Sequence, residues 1–272
     1  RVAESYLNIP AILTVAVESG AQAIHPGYGL LSENAKFVSL CEQCNINFIG
    51  PTSSMIAMLG DKDIARKTMR AAGVPVTPGC DVVEDIAVAK AEAERIGFPL
   101  LIKARSGGGG KGIRREDYID QFEDAFLSAS AEAQAAFGDG ACYLEKFIHP
   151  VKHIEMQLLA DKYGNTICLG ERECSVQRKN QKMIEESPSP ALDEKTRKQM
   201  MIAAVKAAKA VNYVNAGTVE FLLDMNNNFY FMEVNARIQV EHPVSELVTN
   251  TDLIKNQILV CCGLPMECED GI

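Results

Sequence analysis

Five polar residues at every second position, Glu233, Asn235, Arg237, Gln239 and Glu241, make up the most reactive stretch of the sequence. Val234, Ala236, Ile238 and Val240 fill the gaps. A strand turns successive side chains to opposite faces, so the polar set can face one way and the apolar set a core. Residues 220–242 as a whole read as a β-hairpin. Met225, Asn226, Asn227 and Asn228 form the turn between two runs rich in Phe, Tyr, Leu and Val. Glu220 lies between Val219 and Phe221, where a carboxylate is costly to bury unless a cation or donors meet it. A half-solvated strand accounts for the alternation by itself, but solvent faces usually carry Lys, Thr and Ser. Glu, Asn and Glu instead suit a hard cation such as Mg2+ or Mn2+, shared with substrate phosphates. Arg237 suggests an anion beside the metal, and metal plus anion reads as a phosphate site.

Other cations point the same way. Lys103 ends the apolar run 98–102. A lysine in a buried strand needs an anion; a surface lysine with its stem on apolar neighbours is the alternative. After it come Gly107, Gly108, Gly109 and Gly110, then Lys111 and Gly112. Backbone N–H groups without Cβ interference can close on phosphate oxygens, although a flexible turn explains a glycine run as well. The pattern GxxxxGK[ST] is not met, because Arg105 stands five before Gly110 and Gly112 follows Lys111. Lys62 and Lys182 add cations from distant positions. His153 and Glu155, two apart on an expected strand, share a face and could meet ribose or phosphates, or form an ordinary strand pair. Residues 142–148 could present backbone groups to a base. Together these groups fit phosphoryl transfer under a mobile glycine lid, without naming the acceptor.

Positioning them requires sheets and a sizeable core. With 272 residues and 47% apolar content, the chain can build one and divide into two or three lobes. A net charge of −9 and a pI near 5.1 argue against a general nucleic-acid or membrane-surface role. No signal-peptide pattern and no membrane-length apolar run is present. Nine scattered cysteines fit reduced thiols in a cytosolic or equivalent compartment, and Cys41 and Cys44 read as packing residues rather than a zinc site. The chain opens on Arg1 without Met and reads as a piece of something longer. A helix at 10–19 leads to a strand at 23–24, a turn at 25–29, a helix opened by Ser32 and Glu33, and a strand at 47–50. This is half of an open parallel sheet, with the 25–29 loop at a strand's carboxyl end, where such sheets bind ligands. His25 there is a ligand contact or a turn-stabilising residue. Helical runs break at 60–62, and Pro75, Pro78 and Gly79 mark a change of domain. An α+β module follows: helix 85–96, strand 98–104, a second strand after the glycines, helix 117–137 and strand 142–148. Strands at 153–160 and 166–177 precede a helix capped by Asp193, with Met201, Ala204, Val205, Ala208 and Val211 as its core stripe. The hairpin and a last helix at 252–262 complete the chain.

Several motifs, taken in order, carry a resemblance. They are HPGYGLLSEN, Gly60-Asp61-Lys62, Lys103 with its glycine loop, Glu145-Lys146-Phe147, His153-Ile154-Glu155, and the runs 173–182 and 233–242. Over essentially all 272 residues the chain resembles biotin carboxylase of the ATP-grasp superfamily, and EVNARIQVEHPVSE is the run specific to biotin-dependent carboxylases. The resemblance implies an α/β and α+β, ATP-grasp fold. Its divisions would be a partial N-terminal parallel-sheet domain at 1–50, a helical linker at 51–75, a mobile lid at 76–147 and a partial C-terminal antiparallel-sheet catalytic domain at 148–272. It implies a ligase that carboxylates biotin on its carrier, using ATP, bicarbonate and two Mg2+ or Mn2+ ions, through carboxyphosphate. Glu220 and Glu233, with Asn235 nearby, would hold metal. Lys62, Lys103 and His153 would contact ATP phosphates or ribose, and the glycine loop would close over the phosphates. Glu145, Lys146 and Ile148 would line the adenine pocket, with Gln177 and Asn180 near the ribose. Lys182, Arg237, Gln239 and the backbone of Val240 would clamp bicarbonate, and Glu241 would be its base.

The implied partners are a biotin carboxyl carrier protein or domain, a carboxyltransferase component, as in acetyl-CoA carboxylase, and a second copy in a homodimer. Neither nucleic acid nor membrane is among them. The implied location is the cytoplasm, with a mitochondrial or plastid matrix as alternatives. Some relatives carry His at the position of Asn180. The family's catalytic unit also extends past both ends of the chain, including an Arg expected to steady the biotin enolate and much of the dimer surface. Two other functions compete. Another ATP-grasp carboxylate–amine ligase is disfavoured by residues 237–241. A non-catalytic, truncated nucleotide-binding fragment is disfavoured by the intact Lys62, Lys103, Glu220, Glu233, Arg237 and Glu241.

Overall fold

The computed structural model describes residues 1–106, 112–179 and 181–267. A 3-10 turn at Val2–Glu4 precedes α1 (Ile9–Glu18), capped by Asn8, whose side chain accepts from the Ala11 amide. β1 (Ala23–Ile24) and β2 (Asn47–Phe48) pair in parallel, with α2 (Ala35–Gln43) between them. The cap of α2 is Asn34, not Ser32. Its side chain accepts from the Phe37 amide at 2.9 Å. Gly27, Gly29 and Leu30 all have positive φ, so the backbone is still turning where Ser32 was expected to start the helix. His25 stabilises this turn: Nδ1 accepts from the Gly27 amide at 3.1 Å, and Nε2 lies 3.1 Å from Gln257 Oε1.

α3 (Ser53–Gly60) and α4 (Lys62–Ala71) are separated by Asp61, whose extended backbone breaks the helix and whose carboxylate caps the next one. Next come α5 (Ile86–Ile96), β3 (Leu100–Ala104), β4 (Ile113–Glu116), α6 (Phe122–Phe137) and β5 (Cys142–Lys146). The three strands form an antiparallel sheet in the order β4-β3-β5. Leu100, Ile102, Leu144, Phe122 and Phe126 form a core of their own under the two helices. Alternation along β3 buries Leu100 and Ile102 there and turns Lys103 to the opposite face.

The remainder is built on a five-stranded antiparallel sheet in the order β10-β9-β6-β7-β8. Its strands are β6 (Val151–Ala160), β7 (Thr166–Arg178), β8 (Gln181–Glu186), β9 (Asn215–Asp224) and β10 (Phe229–Asn235). One face carries Ile154, Met156, Leu158, Val219 and Phe221 into the main core beneath α7 (Glu194–Ala210). The buried stripe of α7 is Met200, Ala203, Ala204, Ala207 and Ala208; Met201 and Val205 sit at its margin. Ala204, Ala208 and Val211 of the expected stripe are buried, whereas Met201 and Val205 give way to Met200, Ala203 and Ala207. The small alanines let the helix lie close on the sheet.

The opposite face carries His153, Glu155 and Glu220. The hairpin turn falls at 225–228 as expected, with the Asp224 carboxylate accepting from the amides of Asn226 and Asn228. The strand after it does not run to Glu241. It ends at Asn235, and residues 236–241 form a connection to α8 (His242–Thr249), a helix the alternation concealed. The cause is remote: Glu33 accepts from the Ala236 amide at 2.9 Å and from Arg237 Nε at 2.8 Å, withdrawing that amide from the ladder. Within the connection Ala236 and Ile238 are buried, whereas Val240 is exposed, contrary to the expected apolar face. α9 (Leu253–Cys261), capped by Asp252, closes the described chain. Among the described residues, no helix is long and apolar enough to cross a membrane.

Candidate active site

Register on the large sheet sets three carboxylates in a row. Glu233 on β10 stands opposite Glu220 on β9, Glu220 opposite Glu155 on β6, and Glu155 opposite Arg172 on β7. Like charges directly across strands repel, so this row needs cations. Lys182, on the edge strand β8, reaches over the sheet and donates to Glu155, to Glu220 at 2.8 Å and to Glu241 at 2.9 Å. Arg172, wholly buried, donates to the other carboxylate oxygen of Glu155 at 2.7 Å. Asn235 and Gln239 add amide donors to Glu220 at 2.8 and 3.2 Å. His153 Nε2 lies 3.0 Å from Glu220 Oε2, near enough for charge pairing but misaligned as a hydrogen bond, so this buried nitrogen has no good partner. The cost expected of a carboxylate between Val219 and Phe221 is thus offset by four neighbours.

The electrostatics follow from these contacts. Burial alone would raise the Glu220 pKa, but His153 and Lys182 outweigh it and hold the carboxyl well below its usual range. Burial likewise opposes ionisation of Glu241, and the Lys182 hydrogen bond reverses that effect and lowers its pKa. Burial would lower Lys182, yet Glu220 and Glu155 push it far upward. Glu220, Glu241 and Lys182 are therefore held in their charged forms at neutral pH.

The groups expected from sequence meet in a cleft of about 820 Å3 between the two antiparallel sheets. Lys62, Lys103, His153, Gln177 and Lys182 line it, as do Glu220, Glu233, Asn235 and residues 237–241 apart from Ile238. Tyr28 and Gly29, from the loop after β1, also reach it. Lys62 Nζ stands 3.7 Å from Glu233, and Gln177 Nε2 stands 3.0 Å from His153 Nδ1. Arg237 spans Glu33 and Asn235, donating to Asn235 Oδ1 at 3.0 Å. The anion beside Lys103 is Glu145, 2.6 Å from Nζ, which Arg66 also approaches to 3.4 Å. Burial would depress the Lys103 pKa, and Glu145 more than reverses it. Glu145, Lys146 and Ile148 do not line the cleft, and Lys146 instead donates to the carbonyls of Gly97 and Phe98. Gly107, Gly108, Gly109, Gly110 and Asn180 lie outside the described residues.

The donor set fits a hard divalent cation. Glu220 and Glu233 face one another across two strands, Asn235 adjoins them, and the misaligned His153 nitrogen lies beside Glu220. His153, Glu155 and Glu220 also bring ligand atoms within 4.8 Å of one another. The sequence did not single out Arg172, Arg66, Glu33 or Ser245 as site residues, and it left Glu155 open between a ribose or phosphate contact and an ordinary strand pair. The available signal for Arg172 was a charged residue inside the sheet-like run 166–177.

Residues 61–269 match the family described as carbamoyl-phosphate synthase L chain, ATP binding domain. Residues 1–56 match that described as biotin carboxylase, N-terminal domain. The chain belongs to the biotin carboxylase family of ATP-grasp proteins. Biotin carboxylase 1 of Bacillus subtilis is 54% identical over 266 residues, which are 97% of this chain and 59% of that protein. A crystal structure of a biotin carboxylase–βγ-ATP complex from Campylobacter jejuni superposes with a TM-score of 0.93 at 50% identity, covering 97% of this chain and 59% of the other. The biotin carboxylase domain dimer of the 2-oxoglutarate carboxylase from Hydrogenobacter thermophilus, in complex with MgADP, ADP and bicarbonate, gives 0.91 at 48% identity, with the same coverage of 97% and 59%. The chain thus spans 59% of the length of these relatives.

Proposed function

We propose that this chain is the ATP-grasp part of a biotin carboxylase, a ligase that uses ATP and bicarbonate to carboxylate biotin through carboxyphosphate. The observation that carries this reading is the convergence of Lys182, Gln239 and Glu241, with Arg237 on the same cleft, beside the facing pair Glu220 and Glu233. Bicarbonate is a poor nucleophile until deprotonated, and its conjugate base carries two charges. Glu241 is ionised and can accept that proton. Once protonated it weakens its hold on Lys182, 2.9 Å away, and the ammonium is then available to the doubly charged nucleophile. Arg237 supplies a second cation and Gln239 a neutral donor.

Glu220, Glu233 and Asn235 would hold Mg2+ or Mn2+, which when bound supplies positive charge against the ATP phosphates. Lys62, Lys103 and His153 would meet phosphates or ribose, with Gln177 and Asn180 near the ribose and Glu145, Lys146 and Ile148 on the adenine side. Gly107 to Gly110 would cover the phosphates, and residues 76–147 would form the moving lid. Reaching a phosphate would require Lys103 to leave Glu145. In the whole protein, the partners on this reading are a biotin carrier, a carboxyltransferase component and a second copy of the chain. The location on this reading is cytoplasmic or an organelle matrix, where the eight described free cysteines would stay reduced.

Glu241→Gln in the full-length protein tests the reading. Shape is kept and only the proton acceptor is lost, so ATP should still bind. Bicarbonate-dependent ATP cleavage should fall by about 10²–10⁴-fold, the usual contribution of a positioned base. Near-normal bicarbonate-dependent cleavage in the folded variant would overturn it.

A further inference from the structure

Arg172 has no exposed surface, and all five of its N–H groups are engaged. Nε donates to Glu155 at 2.7 Å. Nη1 donates to Gln157 Oε1 and to Ser245 Oγ, each at 2.7 Å. Nη2 donates to Gln239 Oε1 at 2.6 Å and to Thr218 Oγ1 at 3.4 Å. The acceptors come from β6, β9, the 236–241 connection and α8. A buried guanidinium is tolerated only when its donors are met, so this set admits one arrangement of the four segments.

Two of the acceptors bracket Glu241, Gln239 two residues before it and Ser245 four after. The Gln239 contact also fixes the sense of an amide. A glutamine can present either its oxygen or its NH2, and the two differ completely as partners for an anion. Because Arg172 holds Oε1, Nε2 is turned toward Glu220 and Glu155, 3.2 and 3.4 Å away on the cleft side.

We propose that Arg172 is a positioning residue for the anion-binding end of the cleft. It turns the Gln239 amide donor-outward and, through Ser245, anchors the start of the helix that follows Glu241. Having no exposed surface, it touches no reactant. The inference rests on the bicarbonate reading above and adds to it a residue that reading does not contain. Lysine cannot substitute, because its three donors radiate from one point and cannot reach five acceptors in a plane.

The test is steady-state ATP cleavage in the full-length protein and its Arg172→Lys variant, varying bicarbonate and ATP separately. The KM for bicarbonate should rise roughly 10-fold or more while the KM for ATP stays within about 2-fold. Combined with Gln239→Ala, Arg172→Lys should raise the bicarbonate KM by much less than the product of the two single effects, since both act through one amide. A merely structural role would lower stability and the active fraction, scaling kcat and leaving both KM values alone. That outcome, or full multiplicativity with Gln239→Ala, overturns the proposal. Should Arg172→Lys fail to fold, Ser245→Ala removes one acceptor and keeps the guanidinium. It should lower kcat/KM for bicarbonate by roughly 3-fold or more without changing the ATP KM, and an unchanged value overturns the proposal. A parent protein without any bicarbonate dependence overturns the functional reading as well, whereas an active parent with unaltered variants overturns only the role of Arg172.

Discussion

Lys182→Met removes the one ammonium that three carboxylates share. Glu155 would keep Arg172 at 2.7 Å, and Glu220 would keep the His153 ring at 3.0 Å and two amides. Glu241 would lose the one ion pair it makes among the described residues. Leaving a buried carboxylate without its partner costs about 3–5 kcal/mol, and here that cost should depend on pH. In the parent, Glu220 and Glu241 are held below the ordinary carboxyl value of 4.5, despite burial. Their contribution to stability is complete above that value and is lost as pH falls through the depressed folded values. Lys182 is raised from 10.5, so its contribution is complete below that value and is lost only at higher pH. These groups therefore give the parent a stability plateau from about pH 5 to 10.

In the variant, burial of Glu241 loses its largest opponent and is countered only by a backbone hydrogen bond and by Arg172, so the folded pKa should rise above 4.5. Between those two values the folded state binds a proton that the unfolded state lacks. Stability then falls as pH rises, by about 1.4 kcal/mol per pH unit for each such carboxyl. Urea melts of parent and variant at pH 5, 6, 7 and 8 should show a gap that widens with pH to several kcal/mol. A gap that is constant across this range, or below about 1 kcal/mol at pH 8, would refute the shared-cation account.

Two further outcomes follow from the same geometry. Glu233→Gln replaces an anionic oxygen facing Glu220 with a neutral one, so the Mg2+ or Mn2+ concentration for half-maximal ATP cleavage should rise at least about 10-fold; superimposable metal titrations would contradict the assignment. The segment around β3 and β4 has a core separate from the rest of the chain. Amide exchange at Leu100–Ala104 and Ile113–Glu116 should therefore slow when a non-hydrolysable ATP analogue binds the full-length protein, and unchanged protection would argue against a closing lid.

Much of the secondary structure was legible in the sequence because its causes are local. Asp61, Asp85, Asp193 and Asp252 each cap a helix by accepting an amide two or three residues on, and Asp224 closes the hairpin turn through residues up to four away. The run 98–102 marked Lys103 as the charged end of an apolar strand, although its place on the face opposite Leu100 and Ile102 was seen only in the fold. The chemical identities of Glu220, Lys182, Arg237 and Glu241 also marked them as groups that must find partners. Which partners they find was decided only in three dimensions. Lys182 meets carboxylates 27, 38 and 59 residues away, and Lys103 meets a glutamate rather than standing free. The polar alternation through residue 241 implied one long strand, and it ends early because Glu33, 204 residues from Arg237, takes the Ala236 amide. A charged residue inside the run 166–177 could draw attention to Arg172, but its role stayed unreadable for the same reason. A cap or a turn is an interaction within a few residues, which a sequence displays directly. A buried guanidinium is admissible only where sheet register, a connection and a helix bring five acceptors to one point, and no single stretch of the chain contains that information.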